Sequence, residues 1–521
     1  MPRGYARIMT HAVREKRGDR LRSAAAGLSA AVVAVGLAEL VAAIVEPSAS
    51  PFAVIGSGLI DLAPSWAKDT AIALFGTGDK VALLTGIAIV LAGLAALAGI
   101  LESRRAGVGS TILAALGVLA LVAAMIRPGA GPFAWLPGLV AGVTAVVALR
   151  LLMRKVHPVP YLRAEHEERR QFLLWTVGVA ATGIVALAIG NAARGVTRSI
   201  EAVRSTLRLP KAATPAPAVP VAAELDIQGL APVVTPNAQF YRIDTALIVP
   251  RIDPADWSIR IHGMVDREIV VTWDELLTLP MQESHVTLAC VSNEVGGDLI
   301  GNALWLGHPV RELLARAGVD PDADMVLSTS SDGFTASTPL EALTDDRDAL
   351  LAVGMNGDPL PIEHGFPVRM VVPGLYGYVS ATKWVTDLEV TRFDRATAYW
   401  TDRGWSERGP IKLQSRIDVP RRGTRIEAGD AVIAGMAWQQ HVGVEGVEVR
   451  IDEGAWRRAE LATAISDDTW VQWRLDWSAE SGAHTIECRA ISADGETQTS
   501  DPADVVPDGA QGWHRIEVSV A

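Results

Sequence analysis

Apolar residues fill long, nearly unbroken runs in the first two hundred positions and then give way to short alternating segments. Five runs reach the ~20 residues with which a helix crosses a bilayer: 23–45, 80–101, 108–126, 133–152 and 172–193. A sixth stretch, 52–75, is broken by Pro64, Lys68 and Asp69 and reads as an interfacial or re-entrant segment. Cations cluster in alternate connections: between Arg3 and Arg22 before the first run, at Arg104 and Arg105 after the second, and between Arg154 and Arg170 after the fourth. Lys and Arg accumulate on the cytoplasmic side, so the N-terminus is expected inside, and five crossings carry residues 194–521 outside.

The remainder divides by pattern. Residues 194–223 combine a basic amphipathic stretch with the extended, Pro-rich TPAPAVP and read as a spacer holding the body off the membrane. From 224 to 422, short strands such as WSIRIHG, REIVVTW, HVTLAC, DMVLSTS and KWVTDLEVT mix with short helices such as WDELLTL and HPVRELLARAG, an α+β pattern. From 423 to 521, alternation alone remains (AVIAGMAW, TWVQWRLDW, GAHTIECRAIS, WHRIEVSV), with a turn at Asp452-Glu453-Gly454, which predicts a β-sandwich. The expected fold is an all-α membrane bundle of five helices (1–193), an α+β domain and an immunoglobulin-like sandwich.

Composition sharpens this division. Of 521 residues, 49% are hydrophobic and the mean hydropathy is +0.24, so part of the chain is expected to meet lipid. Residues 1–211 carry a net +11 and residues 212–521 a net −23, within a total of −12. An acidic outer half is repelled by phosphate backbones, and no nucleic-acid partner is expected. The two cysteines, Cys290 and Cys488, are too few for a disulfide framework or an iron–sulfur or zinc cluster, and no CxxCH haem-attachment motif is present. Of ten histidines, His157 lies near a membrane-helix end and His11 and His166 fall in connections, which argues against a haem in the bilayer. Glu39, in the first run, reads as a paired or snorkelling carboxylate.

Candidate chemistry is sparse. Cys290 ends the apolar strand HVTLAC and opens into the turn-rich VSNEVGG, a placement that suits contact with a ligand, although core burial is the commoner fate of a lone cysteine. Cys488, mid-strand in HTIECRA, reads as core. Glu168-Arg169-Arg170-Gln171-Phe172-Leu173 before the fifth run has the RRxFL form of a twin-arginine export signal and equally the form of a basic flank.

Three blocks carry a resemblance: residues 289–319 (ACVSNEVGGDLIGNALWLGHPVRELLARAGV), 364–391 (HGFPVRMVVPGLYGYVSATKWVTDLEVT) and 412–420 (KLQSRIDVP). Together they resemble the molybdopterin domain of the sulfite oxidase family, and 423–521 is similar to that family's immunoglobulin-like dimerisation domain. The resemblance implies a molybdenum–molybdopterin cofactor with Cys290 as the protein's covalent metal ligand and a member of the catalytic set. It implies His364, Arg369 and Lys383 as cofactor contacts, with Gly374 and Gly377 in the Gly-rich loop between them. It offers Tyr241 and Arg242, in QFYR, as secondary cofactor or catalytic residues. A thiolate suits a soft metal otherwise held by dithiolene sulfurs, and an arginine fork suits a phosphate.

Two departures bear on substrate. Sulfite oxidases place an arginine shortly after the ligand cysteine, where this chain has Asn293-Glu294-Val295-Gly296, and a carboxylate there is expected to repel sulfite. The family's tyrosine near the metal is expected to be replaced by Trp405, with Tyr399 as the other choice. The resemblance thus implies an extracytoplasmic, plasma-membrane oxidoreductase performing two-electron oxygen-atom transfer on a small molecule. A separate electron carrier, a cytochrome or quinone-linked protein, is expected, and a homodimer is left open. A methionine-sulfoxide or other S-/N-oxide reductase, and a non-catalytic binding protein on the same fold, are the alternatives.

Overall fold

The computed structural model describes residues 3–45, 49–62, 79–127, 130–156, 165–196, 200–246 and 249–521. The chain divides into two compact units, 1–199 with 246–248, and 200–245 with 249–521.

The first unit is helical: α1 (Arg3–Val45), α2 (Pro51–Leu62), α3 (Asp79–Arg104), α4 (Val108–Met125), α5 (Trp135–Val156) and α6 (Glu165–Val196). Five segments are long and apolar enough to cross a membrane: Asp19–Val45, Ala82–Arg104, Val108–Met125, Trp135–Val156 and Arg170–Ile189. They overlap all five expected runs. Helix α1 packs against α3, α5 and α6. A Cβ on Gly27 would lie 2.0 Å from the Ala95 carbonyl oxygen and one on Gly99 2.0 Å from that of Ser23, so the α1–α3 crossing depends on both glycines. Glu39 is buried and paired, its carboxylate accepting the Ser50 hydroxyl at 2.8 Å. The 52–75 segment begins as α2, whereas Pro64, Lys68 and Asp69 lie outside the described residues, as does His157. His11 and His166 stand on helical backbone, α1 and α6, rather than in connections.

In the second unit, one mixed sheet has the order β2-β1-β10-β5-β6, from β1 (Ser258–Gly263), β2 (Ile269–Thr272), β5 (Met325–Ser330), β6 (Thr335–Pro339) and β10 (Val385–Thr391). A short helix, α8 (Trp273–Thr278), follows β2 because the Thr272 hydroxyl accepts the Glu275 N–H at 3.3 Å and caps it. A second sheet, β3-β4-β7-β8 with β9 on β7, uses β3 (Gln282–Ala289), β4 (Ile300–Pro309), β7 (Leu350–Met355), β8 (Asp358–Pro359) and β9 (Arg369–Val371). Helix α9 (Val310–Ala317) buries Val310, Leu313, Leu314 and Ala317 on one face. Strands β3 and β4 pair from Gln282↔Gly307 to Ala289↔Ile300, which delivers Cys290 to the end of the ladder, where its N–H bonds the Leu299 carbonyl.

The sandwich packs the sheet β11-β13-β17-β16 against β12-β19-β18-β14-β15. Its strands are β11 (Gln414–Val419), β12 (Arg425–Ile426), β13 (Gly429–Trp438), β14 (Val444–Ile451), β15 (Arg457–Arg458), β16 (Glu460–Leu461), β17 (Val471–Ala479), β18 (Gly482–Ser492) and β19 (His514–Val520). Sandwich pairing begins at β11, ahead of the expected start at 423. Cys488 is fully buried in it, as expected, and both cysteines are free.

The sandwich is joined to β3. Thr287 donates its N–H to the Asp468 carbonyl at 3.0 Å, its hydroxyl accepts the Trp470 N–H at 2.9 Å, and its carbonyl accepts from Gln440 Nε2 at 3.0 Å. The edge of β3 is thereby covered rather than left open.

The expected spacer is not free-standing beyond residue 199. After α7 (Ile200–Thr206), Ala213 N–H bonds the Met281 carbonyl and Glu283 N–H bonds the Thr214 carbonyl. Extended, Pro-rich backbone has unpaired polar groups, and the end of β3 supplies partners for them.

Candidate active site

Below the end of β3 opens a cavity of about 920 Å³, counting the space at its mouth. Cys290, 9% exposed, lies in its wall. Burial pushes its thiol up from the ordinary value, opposed by hydrogen bonds from the Ser292 backbone and side chain. Tyr376 is buried and Tyr241 half-buried near this sulfur. Burial drives the Tyr241 phenol far above its usual range, Cys290 adds to the effect and Arg369 opposes it, so this hydroxyl lies under the influence of both groups and keeps its proton. Burial likewise holds Tyr376 up at about 12.

A cationic part of the wall comes from β9, the turn before it and the segment before β10. Arg369, buried at the start of β9, donates to the His364 carbonyl at 3.1 Å and the Ala381 carbonyl at 3.4 Å, and its guanidinium lies 5.0 Å from the Trp305 ring centroid. Burial lowers it to about 10. Lys383 donates to Asp244 Oδ2 at 2.9 Å and to the Glu363 carbonyl at 3.0 Å, and burial brings it down to about 8 despite the carboxylate. His364 is held at about 3 by burial, then by Arg369 and Lys383, so its imidazole is neutral at pH 7. Phe240 fixes both sides: its ring stacks on Tyr241 at 5.3 Å and meets Trp305 and His364 edge-on. Gly365 is required between His364 and Arg369. Its φ is +113°, and a Cβ there would lie 2.9 Å from the Cβ of Arg369 and 3.2 Å from that of Lys383.

Six of the eight site residues expected from sequence border this one cavity: Tyr241, Cys290, His364, Arg369, Gly377 and Lys383. Arg242 does not. Its side chain is 43% exposed and donates to Asp244 at 3.0 Å, because side chains of successive residues in extended chain point to opposite sides. Gly374 also lies elsewhere, against Gln440 and His441.

The expected carboxylate after Cys290 is likewise misplaced. The Asn293 side chain accepts the Leu299 N–H and closes the loop, and Glu294 lines a separate cavity with Arg416, Asp418 and His514 rather than the one that Cys290 borders. Trp405 lines the Cys290 cavity as expected, and Tyr399 stands behind its wall, against Trp400 and Phe334.

Sequence reasoning missed Asp244, Ser292, Asp332, Phe334, Tyr378 and Trp400, which also line the cavity. The proximity of Ser292 to Cys290 and of Asp244 to Arg242 was the available signal. The others come from turns with no pattern of their own. Among the described residues, no group of three or more His, Cys, Asp or Glu side chains is placed to hold a metal ion.

Residues 246–400 match the family described as the oxidoreductase molybdopterin binding domain. The chain is 29% identical to rat (Rattus norvegicus) mitochondrial sulfite oxidase over 342 residues, covering 55% of this chain and 62% of that protein, so it spans less than two thirds of that relative's length. It is 31% identical over 157 residues to the uncharacterized oxidoreductase YuiH of Bacillus subtilis (strain 168), covering 30% of this chain and 76% of that protein. Among solved structures, the sulfane dehydrogenase SoxCD from Paracoccus pantotrophus aligns with a TM-score of 0.47 at 25% identity, over 51% of this chain and 75% of that one.

Proposed function

The chain belongs to the sulfite oxidase family of molybdopterin-dependent oxidoreductases, and from that membership we propose a membrane-anchored, extracytoplasmic enzyme for two-electron oxygen-atom transfer at a molybdenum ligated by Cys290. One observation carries the reading: Tyr241, Cys290, His364, Arg369, Gly377 and Lys383, from separate segments, border a single cavity. The donor set suits a molybdopterin. A lone thiol is a soft ligand for a metal otherwise held by dithiolene sulfurs, and Arg369 and Lys383 in the same lining suit the cofactor's phosphate. When bound, the cofactor supplies a metal centre that takes up or releases two electrons.

The chain's own groups have distinct tasks. Cys290 must lose its proton to ligate, against the burial that holds the thiol protonated in the bare protein. Tyr241 keeps its proton and offers a hydrogen-bond donor near the sulfur. Neutral His364 donates or accepts a hydrogen bond without adding charge. Arg242 acts through Asp244, which holds Lys383.

In the oxidative direction the substrate gains an oxygen atom from water, and two protons and two electrons leave. In the reductive direction the oxygen leaves as water. The electrons pass to or from a separate carrier. Anchoring is supported by the five apolar helices. The outward orientation is supported by the cation distribution, and a twin-arginine route by Arg169 and Arg170.

Full-length protein from a molybdenum-replete host tests the reading. About one molybdenum and one pterin per chain are expected from the stoichiometry of a single Cys-ligated site, and a folded chain containing neither overturns it.

A further inference from the structure

The outer wall of the Cys290 cavity is aromatic. Tyr378 meets Trp405 at 5.9 Å between ring centroids, and Trp405 meets Trp400 at 6.0 Å and 74°. Trp400 continues through Tyr399 at 5.2 Å to Phe334, 5.8 Å further on. Tyr378, Trp400, Trp405 and Phe334 all face the cavity. The Tyr378 hydroxyl is turned away, donating to the Ser406 carbonyl at 2.8 Å, so this residue offers its ring.

The charges around the cavity point the same way. The two cations on its wall, Arg369 and Lys383, are the pair that suits the cofactor's phosphate, so in the loaded protein neither is left for a substrate. Asp332, on the turn between β5 and β6, also lines the cavity; its carboxylate accepts the Phe334 N–H at 3.3 Å, and no cation pairs with it among the described residues. A dianion entering beside Asp332 would meet like charge with no uncommitted cation to offset it.

We propose that this wall is the substrate-recognition site, that Phe334, Trp400 and Trp405 determine specificity, and that the site takes an uncharged organic molecule bearing a flat apolar group while disfavouring inorganic oxyanions. The inference rests on the oxidoreductase reading and deepens it by naming the substrate class. Flat groups pack edge-to-face or offset against such rings, which rewards shape and apolar area rather than charge.

Methyl phenyl sulfoxide, a neutral aryl probe, and sulfate, an unreactive oxyanion, test it by calorimetric titration of the detergent-solubilised holoprotein. The sulfoxide is expected to bind at least about tenfold more tightly than sulfate. The double variant Trp400→Ala, Trp405→Ala should weaken sulfoxide binding about tenfold or more, and Phe334→Leu, on a half-buried turn and less demanding of the fold, about threefold. Asp332→Asn, whose amide oxygen can still accept the Phe334 N–H, should strengthen sulfate binding, and sulfate affinity unchanged in it would remove the charge argument. Tighter binding of sulfate than sulfoxide in the parent protein, or sulfoxide affinity unchanged in both Phe334→Leu and the double variant, would overturn the proposal. Molybdenum measured on the same samples separates the two readings. A loaded chain that prefers sulfate sinks the specificity alone, whereas a folded chain without molybdenum sinks the oxidoreductase reading and this inference with it.

Discussion

Lys383 and Asp244 form a buried ion pair, Nζ to Oδ2 at 2.9 Å, and the same carboxylate oxygen receives the exposed Arg242 at 3.0 Å. One carboxylate thus ties a cavity lysine to a surface arginine. Removing a partner from a buried pair strands a charge, so Asp244→Ala should cost about 3–5 kcal/mol of stability, whereas Arg242→Ala, at an exposed pair, should cost about 1 kcal/mol or less. Thermal unfolding of the solubilised protein distinguishes them. Equal losses would mean that the lysine does not depend on Asp244.

The same lysine sets a pH dependence. Its value in the folded chain, about 8, is below that of an exposed lysine, so it releases its proton earlier on the alkaline side. Attraction for a phosphate group is complete below that value and fades above it. Cofactor-free protein should therefore bind inorganic phosphate less tightly as pH rises from 7 to 9.5, and Lys383→Arg, which stays charged, should flatten the curve. An unchanged curve in that variant would remove Lys383 from anion binding.

At Gly377 the protein has room that a ligand would need. A Cβ there would lie 3.5 Å from the Ala381 Cβ, 3.7 Å from the Ala289 carbonyl oxygen and 3.9 Å from the Tyr241 hydroxyl, all ordinary contacts. Gly377→Ala should keep or slightly raise stability, by about 0.4–1 kcal/mol, while lowering the pterin and molybdenum retained per chain. Full retention would show that the cofactor does not approach this backbone.

Cys290→Ser replaces a soft ligand by a hard one of nearly the same shape. We expect a thermal midpoint within a few degrees of the parent, with molybdenum and activity lost. In the parent, iodoacetamide should label Cys290 only after the metal is removed, and slowly even then, because burial keeps the thiol protonated. Retained turnover in the serine variant would end the ligand assignment.

For export, Arg169→Lys with Arg170→Lys preserves the flanking charge and removes the arginine pair. Protease added to intact cells should then spare the second unit, where it attacks the parent. Equal digestion would discard the twin-arginine route.

The membrane runs were legible because a bilayer imposes a length and a polarity on each crossing. Edge strands such as β2, with residues alternately buried and exposed, were legible for a similar reason. Strand β4 was not recognised: IGNALWLGHP is buried on both faces, so no alternation marks it, and Gly301, Asn302 and Gly307 read as breaks. Within the site, Cys290, His364, Arg369 and Lys383 were identifiable through their blocks. Asp332 and Trp400 lie in turns and join the others only when β5–β6 and the 392–413 segment fold onto the same opening. Arg242 and Glu294 failed because adjacency along the chain does not settle the direction of a side chain.

The bond from Thr287 to the sandwich has a practical consequence for anyone dividing this chain. Asp468, Trp470 and Gln440 brace the strand three residues before the cysteine. A truncated protein ending at 422 would expose the Thr287 end of that strand and invite aggregation, so the smallest soluble fragment worth expressing runs from about residue 200 to the last residue.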